Sequence, residues 1–247
     1  MIIEWTGCTG TGKSTLCEGV YKNLLSSGVN VRKPLEIFLG RTIAKAIKNE
    51  SIRSLLLDVL VLPWSIFSAV KHRHFVTFCL KTLNNNNFSS TQKILFLRSI
   101  IRKTGLYLFL NDFCNESKLT VLDEGTVHII HLLFANGDPK YCISTKEIER
   151  FCELVPLPDL IIHIMASESE VIKRTLNRED KPLSNASPDC LKHFITQGLN
   201  SFKILNDLNP WEKKTITYFN PDNSIENTQD VALITNQILE KLHPKKV

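Results

Sequence analysis

The segment GCTGTGKS at positions 7–14 combines three glycines with a lysine and a hydroxyl, in the spacing G-x-x-x-x-G-K-S. Glycines let successive backbone N–H groups turn towards one anion without side-chain clashes. A helix that begins near Lys13 would add the partial positive charge of its N-terminus. A flexible turn would account for the glycines, but not for a lysine and a hydroxyl in register with them. The segment therefore predicts a loop that binds the phosphates of a nucleotide.

The side chains of this loop have separate expected roles. Lys13 is expected to reach the β- and γ-phosphates, Ser14 to bind Mg²⁺ and Thr15 to contact the α-phosphate. We find no guanine-specificity motif, so the expected donor is ATP, with Mg²⁺ as the cofactor. The predicted ATP-binding residues are Gly7, Cys8, Thr9, Gly10, Thr11, Gly12, Lys13, Ser14 and Thr15.

Two adjacent carboxylates, Asp123 and Glu124, directly follow the apolar run Leu119–Leu122. A carboxylate at the end of a buried strand is unfavourable unless it has a partner or a task. One of the two is expected to hold Mg²⁺, with Asp123 favoured, and the other to take a proton from an acceptor hydroxyl. Both are therefore predicted to be catalytic, and the sequence alone leaves their division of labour open.

Arg174 and Arg178 are four residues apart and would share one face of a helix. Guanidinium groups match phosphate oxygens and stay charged, so the two are predicted to be catalytic as a lid over the transferred group. The lid is expected at about 174–190. The alternative is a solvated helix face on which these arginines pair with Glu170 and Glu179.

Three further residues are candidates for contact with the acceptor. Glu36 is a second candidate base, and Arg41 and Arg98 would bind an anionic part of the substrate. The alternative for both arginines is an ordinary surface salt bridge. His128 and His131 lie one helical turn apart, but a metal site would need a third ligand, so we expect a helix that packs both against polar neighbours.

Short apolar runs alternate with helical segments along the chain, which is typical of parallel strands covered on both faces. We therefore predict an α/β fold, with one doubly wound domain over 1–247, a five-stranded parallel sheet and a helical insertion at about 50–113. The predicted strands are Ile2–Trp5, Val29–Arg32, Leu119–Leu122, Leu160–Met165 and Thr215–Phe219. Helices are predicted at 14–25, 41–48, 52–62, 64–83, 91–113, 127–134, 145–154, from 167 and at 231–242.

The insertion contains an unusually apolar segment, Leu55–Val70, with the sequence LLLDVLVLPWSIFSAV. Asp58 and Pro63 interrupt it, and it is short for a membrane span, so no transmembrane helix is predicted. We expect a buried helical hairpin. The alternative is a surface that contacts a membrane or a partner, including a second copy of the chain in a homodimer.

Composition limits the classes of partner. The chain has 247 residues and a formal net charge of +5, without an arginine-rich tract, so no nucleic acid is expected. Its seven cysteines are scattered and form no C-x-x-C pair, which favours reduced thiols and a cytoplasmic location. The start of the chain lacks the pattern of a signal peptide.

Several segments resemble the thymidylate kinase-like family of P-loop kinases. The opening IIEWTGCTGTGKSTL is similar to that family's first strand and glycine loop, and VNVRKPLEIFLGRTIAKAI to its second strand and the turn after it. LTVLDEG stands where the family has a strand ending in Asp-Arg, and PDLIIHIMASESEVIKRTLNRED resembles its fourth strand and arginine-rich lid. The resemblance implies a P-loop kinase that moves the γ-phosphoryl of ATP to a nucleoside or nucleotide.

The chain departs from the family at two places near the expected acceptor. Asp123-Glu124 replaces the Asp-Arg pair, and the acid of the basic–acidic–proline turn is displaced to Glu36. Exchanging a cation for an acid favours a hydroxyl acceptor over a phosphate acceptor. Two alternatives stay open: a kinase for a sugar, polyol or lipid-linked hydroxyl, and a P-loop ATPase that acts as a switch.

Overall fold

The computed structural model describes residues 1–86, 88–113, 119–136, 138, 140–178, 187–220 and 228–242, with Phe113 and Thr228 described by their backbone alone. Its centre is one sheet of five parallel strands in the order β2-β3-β1-β4-β5. This confirms the predicted α/β fold with a doubly wound parallel sheet. The strands are β1 (Ile2–Thr6), β2 (Val31–Arg32), β3 (Leu119–Asp123), β4 (Leu160–Met165) and β5 (Thr215–Phe219).

Helices cover both faces of this sheet. They are α1 (Lys13–Ser26), α2 (Pro34–Leu39), α3 (Arg41–Ala46), α4 (Glu50–Lys71), α5 (Arg73–Asn85), α6 (Ser90–Phe113), α7 (Ile129–Phe134), α8 (Thr145–Leu154), α9 (Glu168–Leu176), α10 (Pro188–Leu208) and α11 (Thr228–Leu242). Neither α2 nor α10 is predicted from the sequence. Helices α4, α5 and α6 together occupy the predicted insertion.

The alternation of side chains along β1 divides the core into two layers. Ile3 and Trp5 are buried against α1 and α11, whereas Glu4 and Thr6 point to the face covered by α7 and α10. Trp5 pairs with Asp123 across the sheet, so the ends of β1 and β3 lie side by side. The carboxyl edge of the sheet therefore brings the glycine loop and the two carboxylates together, as expected for a parallel α/β fold.

Helix α4 continues through Pro63, so the predicted helix boundary at this proline is wrong. The helix ends instead at Lys71, and α5 begins at Arg73, with His72 between them. Proline removes one backbone hydrogen bond from a helix, but tertiary packing can offset this loss. Here α4 lies closely along α6, since a Cβ added to Gly105 would come within 2.7 Å of the Ser65 backbone.

The outward face of α4 is apolar and exposed, so the predicted buried hairpin is also wrong. Val59 is 62% exposed, Ile66 64% and Val70 72%. Asp58 turns away from this face and pairs with Arg98 of α6. Within the described residues, α4 is the one helix that is long and apolar enough to span a membrane. Only 17% of its most apolar stretch is buried. This exposure favours the alternative of a surface that contacts a partner or a membrane. Such a contact stays a prediction.

Candidate active site

The glycine loop adopts a conformation that its glycines make accessible. Gly7, Gly10 and Gly12 have φ angles of 141°, 90° and 87°, where side chains are disfavoured. Space is also short, because a Cβ on Gly10 would lie 2.9 Å from the Val171 carbonyl oxygen. Helix α1 begins at Lys13, and no side chain caps its first turn. The N–H groups of that turn are therefore available to an anion.

Side chains from distant parts of the chain support the loop from outside. The Asn220 amide donates to the Thr11 carbonyl oxygen at 2.7 Å, and the Thr11 hydroxyl donates to the Cys8 carbonyl oxygen at 2.9 Å. Thr9 Oγ1 lies 3.2 Å from Nε2 of His131. Neither Asn220 nor His131 can be recognised from the sequence as a support of the loop, since each is far from it along the chain.

A cavity of about 460 Å³ opens over this loop, and we call it the donor cavity. Arg174 and Arg178 of the predicted lid line it, so the structure brings both arginines to the loop. Arg174 lies on α9, 3.4 Å from Glu170, whereas Arg178 follows the end of this helix at Leu176, so the predicted shared helix face is wrong. Residues 179–186 of the predicted lid lie outside the described residues. The lining comprises Gly10, Gly12, Lys13, Ser14, Thr15, Leu16, Arg174, Asn177, Arg178 and Asn220.

Glu124 lies at the centre of a charged cluster beside the loop. Its Oε1 is 2.9 Å from Nζ of Lys13 and 3.3 Å from Nε2 of His128. Lys103 of α6 donates to the Glu124 carbonyl oxygen at 2.9 Å and lies 3.5 Å from its Oε2. Glu124 has a φ of 70°, which is uncommon for a residue with a side chain. These contacts hold it in that conformation at the end of β3.

The cluster shifts the pKa of each of its members. Burial raises the pKa of Glu124, but His128, Lys13 and Lys103 outweigh it and keep that pKa well below its ordinary value. Burial, more than the nearby cations, lowers the pKa of His128 well below its ordinary value. Burial also lowers the pKa of Lys103, although Glu124 opposes this. Glu124 is therefore ionised at neutral pH.

Asp123 and Ser14 provide two oxygen ligands where Mg²⁺ is expected. Both line the cavity beside Lys13, and the Ser14 hydroxyl interacts with the Asp123 carboxylate. Partial burial within the cleft and then the charge of Glu124 raise the pKa of Asp123. Mg²⁺ prefers oxygen ligands and commonly binds one carboxylate together with substrate phosphates. These two oxygen ligands therefore fit Mg²⁺. The described residues contain no cluster of three His, Cys, Asp or Glu side chains that could hold a metal ion without substrate.

A second cavity of about 530 Å³ meets the first at Ser14, and we call it the acceptor cavity. Asp123 and Glu124 lie where the two cavities join, because β3 ends there. The rest of its wall comes from α1, the start of α2 and the first turns of α4, with α6 opposite. The lining comprises Ser14, Cys17, Glu18, Lys33, Pro34, Leu35, Glu50, Arg53, Ser54, Leu57, Arg102, Lys103, Leu106, Val121, Leu122, Asp123 and Glu124.

The three residues predicted to contact the acceptor lie outside the lining of both cavities. Glu36 is buried and accepts hydrogen bonds from the Tyr21 hydroxyl at 2.8 and 2.7 Å. Arg41 lies 3.7 Å from Glu36 and donates to the Val31 carbonyl oxygen. Arg98 pairs with Asp58 on the neighbouring helix. These contacts favour structural roles for all three.

His128 and His131 are buried, but His128 precedes α7 and both rings lie near aromatic side chains, so the predicted packing of both within a helix against polar neighbours is wrong. His131 lies 5.2 Å from the Phe194 ring, and both histidines lie 6.1 Å from the Phe202 ring. Burial lowers the pKa of His131 to about 3. Both phenylalanines come from α10, so this helix fixes the histidines that contact the loop and Glu124.

Glu4 is a fully buried carboxylate behind the site. It accepts a hydrogen bond from the His128 backbone N–H at 2.8 Å, and Thr126 Oγ1 lies 3.4 Å from its other oxygen. A Cβ on Gly125 would lie 2.4 Å from the same oxygen. Glu4 therefore holds the segment that follows Glu124. Burial raises its pKa to about 7, although these hydrogen bonds oppose the shift.

We expect Glu4→Gln to flatten the pH dependence of stability between about pH 4.5 and 7. The native carboxyl keeps its proton in this range while the unfolded one has lost it, so its contribution is complete below pH 4.5 and disappears as the pH rises to 7. A shift of this size corresponds to roughly 3 kcal/mol in the wild type. Urea unfolding from pH 4.5 to 8 measures it. The exposed Glu212→Gln is the control, and equal slopes for wild type and Glu4→Gln would contradict the expectation.

Comparison with known proteins identifies the same fold in two kinases. The sequence itself matches no protein-family model and no curated protein. Deoxyadenosine kinase from M. mycoides with bound dATP has a TM-score of 0.50 and 16% identity, over 97% of this chain and 99% of that one. Thymidylate kinase from Candida albicans has a TM-score of 0.51 and 15% identity, over 99% of this chain and 92% of that one. These likenesses show that the chain has the fold of nucleoside and nucleotide kinases.

Proposed function

We propose that the chain is a kinase that transfers the γ-phosphoryl group of Mg·ATP to a hydroxyl of a small molecule. The observation that carries this proposal is the meeting of two cavities at Ser14, with Lys13 and the two carboxylates at their junction. A phosphoryl donor in one cavity would face an acceptor in the other. Such positioning and charge neutralisation supply most of the catalysis of phosphoryl transfer.

In this reaction an acceptor oxygen forms a bond to the γ-phosphorus, and the bond from that phosphorus to the bridging oxygen of ADP breaks. Lys13 neutralises charge on the β- and γ-phosphates, and Arg174 and Arg178 do so from the lid side. The acceptor proton passes to a carboxylate, for which ionised Glu124 is the candidate. Ser14 and Asp123 would hold Mg²⁺, which neutralises charge on the phosphates.

A P-loop ATPase that acts as a switch is the competing proposal. The acceptor cavity favours a kinase, because a hydrolase needs room for one water while this cavity encloses about 530 Å³. The resemblance in sequence favours a nucleoside or nucleotide as the acceptor, and a sugar or polyol is the alternative. A homodimer, a contact with a membrane surface and a cytoplasmic location remain predictions from the sequence.

The proposal is tested by following [γ-³²P]ATP in the presence of Mg²⁺ and pooled acceptors: nucleosides, nucleoside monophosphates, sugars, sugar phosphates, polyols and hydroxy acids. A kinase transfers the label to a small organic molecule and releases ADP faster when that molecule is present. Label that appears only as inorganic phosphate, at a rate that no pool changes, would favour the switch ATPase and contradict the proposal.

A further inference from the structure

The acceptor cavity contains one cation that lacks a counter-charge among the described residues. Arg53, in the first turn of α4, is half-buried and lines the cavity. No described residue pairs with its guanidinium group. The other cations of the lining are engaged: Lys33 with Glu18, Arg102 with Asp58 and Ser54, and Lys103 with Glu124. An unpaired guanidinium in a cavity is suited to a negatively charged group of a ligand.

No aromatic ring lines this cavity in the part of the chain that the structure describes. The sequence segments outside the described ranges contain no Phe, Tyr or Trp. Phe113, whose ring is not described, follows Leu106 by about two helical turns and lies at the far end of α6. A nucleobase in the cavity would therefore lack the aromatic stacking partner that commonly binds bases.

Three rings in the apolar cluster behind the aliphatic wall of the cavity already pack on one another. Phe38 and Phe109 stack with centroids 4.3 Å apart, and Trp64 contacts Phe109 edge-on at 4.7 Å. They belong to the same apolar cluster as Leu57 and Leu106, whose side chains form the wall. Moving one of these rings into the cavity would break the cluster.

The remaining wall of the cavity offers both hydrogen-bond donors and hydrogen-bond acceptors. Ser14 and Ser54 provide hydroxyls and Glu50 provides a carboxylate acceptor, whereas Glu18 already pairs with Lys33. Groups of this kind match the hydroxyls of a sugar or polyol, each of which donates and accepts. One hydroxyl would lie beside Asp123 and Glu124, and an anionic group would lie at Arg53.

Resting on the kinase function proposed above, we infer that the acceptor is a small, non-aromatic polyhydroxy compound with a phosphate or carboxylate group, and that Arg53 binds this group. The cavity volume of about 530 Å³ is ample for a molecule of hexose phosphate size. Arg53 then determines specificity for the acceptor, at a distance from the transferred phosphoryl group.

The test compares acceptor classes in an assay of ADP release with Mg·ATP. The panel contains sugar and polyol phosphates, sugar acids, the matching neutral sugars and polyols, nucleosides and nucleoside monophosphates. We expect turnover with an anionic polyhydroxy acceptor, and the phosphate and acid arms of the panel identify which anion is bound. If a nucleoside or its monophosphate is the best acceptor, or if no anionic polyhydroxy compound is phosphorylated, the inference is overturned.

Arg53→Met supplies the second part of the test. We expect the KM for the anionic acceptor to rise 10-fold to 100-fold, with the KM for ATP unchanged and kcat within a few-fold of the wild type. Arg53→Lys should raise the KM for the acceptor less than Arg53→Met does. The matched control Arg150→Met replaces an exposed arginine of α8 and should leave this KM unchanged. An unchanged acceptor KM in Arg53→Met would overturn the inference.

The inference and the proposed function fail in different ways. Phosphorylation of a nucleoside would leave the kinase function standing and remove the inference about the acceptor. Hydrolysis of ATP that no class of acceptor stimulates would remove both.

Discussion

Lys13→Met should reduce kcat/KM for phosphoryl transfer by about 10³-fold, the largest loss that we expect from one substitution. Lys13 is buried beside the glycine loop and Glu124, so water cannot compensate for the loss of its positive charge. In the wild type this charge would neutralise the β- and γ-phosphates while the γ-phosphoryl group leaves ADP. Initial rates at saturating Mg²⁺, with ATP varied, measure this loss.

Lys146→Met is the matched control, because Lys146 is an exposed lysine on α8. Its rates should equal those of the wild type. Circular dichroism and urea unfolding separate a lost charge from a lost fold in Lys13→Met, since Glu124 keeps contacts with Lys103 and His128. A folded Lys13→Met protein with more than a tenth of wild-type turnover would contradict the assignment of the donor site.

Asp123→Asn should reduce kcat by about 10²-fold and raise the Mg²⁺ concentration needed for half-maximal rate. The carboxylate lies beside the Ser14 hydroxyl at the junction of the two cavities. Asparagine keeps the shape of the side chain but removes the negative charge that attracts the cation. Rates at Mg²⁺ concentrations from micromolar to tens of millimolar, at fixed ATP, measure both effects.

The control for this variant is Asp207→Asn, an exposed acid on α10. It should leave the Mg²⁺ dependence unchanged. If Asp123→Asn lowers the rate without altering the Mg²⁺ dependence, Asp123 acts on the acceptor instead of on the metal. If it alters neither, the acid at the end of β3 is structural.

The sheet could be predicted because each strand carries its own local signal. Leu160–Met165 is apolar except for His163, and the strand has these bounds in the structure. Helix α10 has an N-cap at Ser187 and a proline in its first turn, yet its buried face includes Gln197, Gly198 and Ser201. These small and polar residues interrupt the apolar period by which a buried helix is recognised. Gly198 is needed there, because a Cβ would lie 2.5 Å from the His131 ring.

The exposure of α4 could not be read from its composition. An apolar face reads the same in sequence whether it packs on the protein's own core or points away from it. The contact between Ser65 and Gly105 decides which face of α4 turns inward, and that contact joins residues 40 positions apart. Pro63 then lies within a helix that α6 supports along its length.

The donor loop could be predicted from the sequence, but the acceptor cavity could not. The donor loop is continuous in sequence, so spacing alone assigns its residues. The acceptor cavity is assembled from four helices and β3, and its cations Arg53 and Lys103 carry no local motif. The sequence makes Glu36 a candidate base, but in the structure Tyr21 and Arg41 engage its carboxylate. Only the packing of α4 against α6 brings Arg53 and Lys103 to the same cavity.

The position of the bound nucleotide can be seen in a crystal structure of the chain grown with ADP and Mg²⁺. We expect the β-phosphate to accept hydrogen bonds from backbone N–H groups between Gly10 and Ser14, and Mg²⁺ to lie at the Ser14 hydroxyl, next to Asp123. Nucleotide bound elsewhere, with the bend at residues 7–14 vacant at saturating ADP, would contradict this expectation.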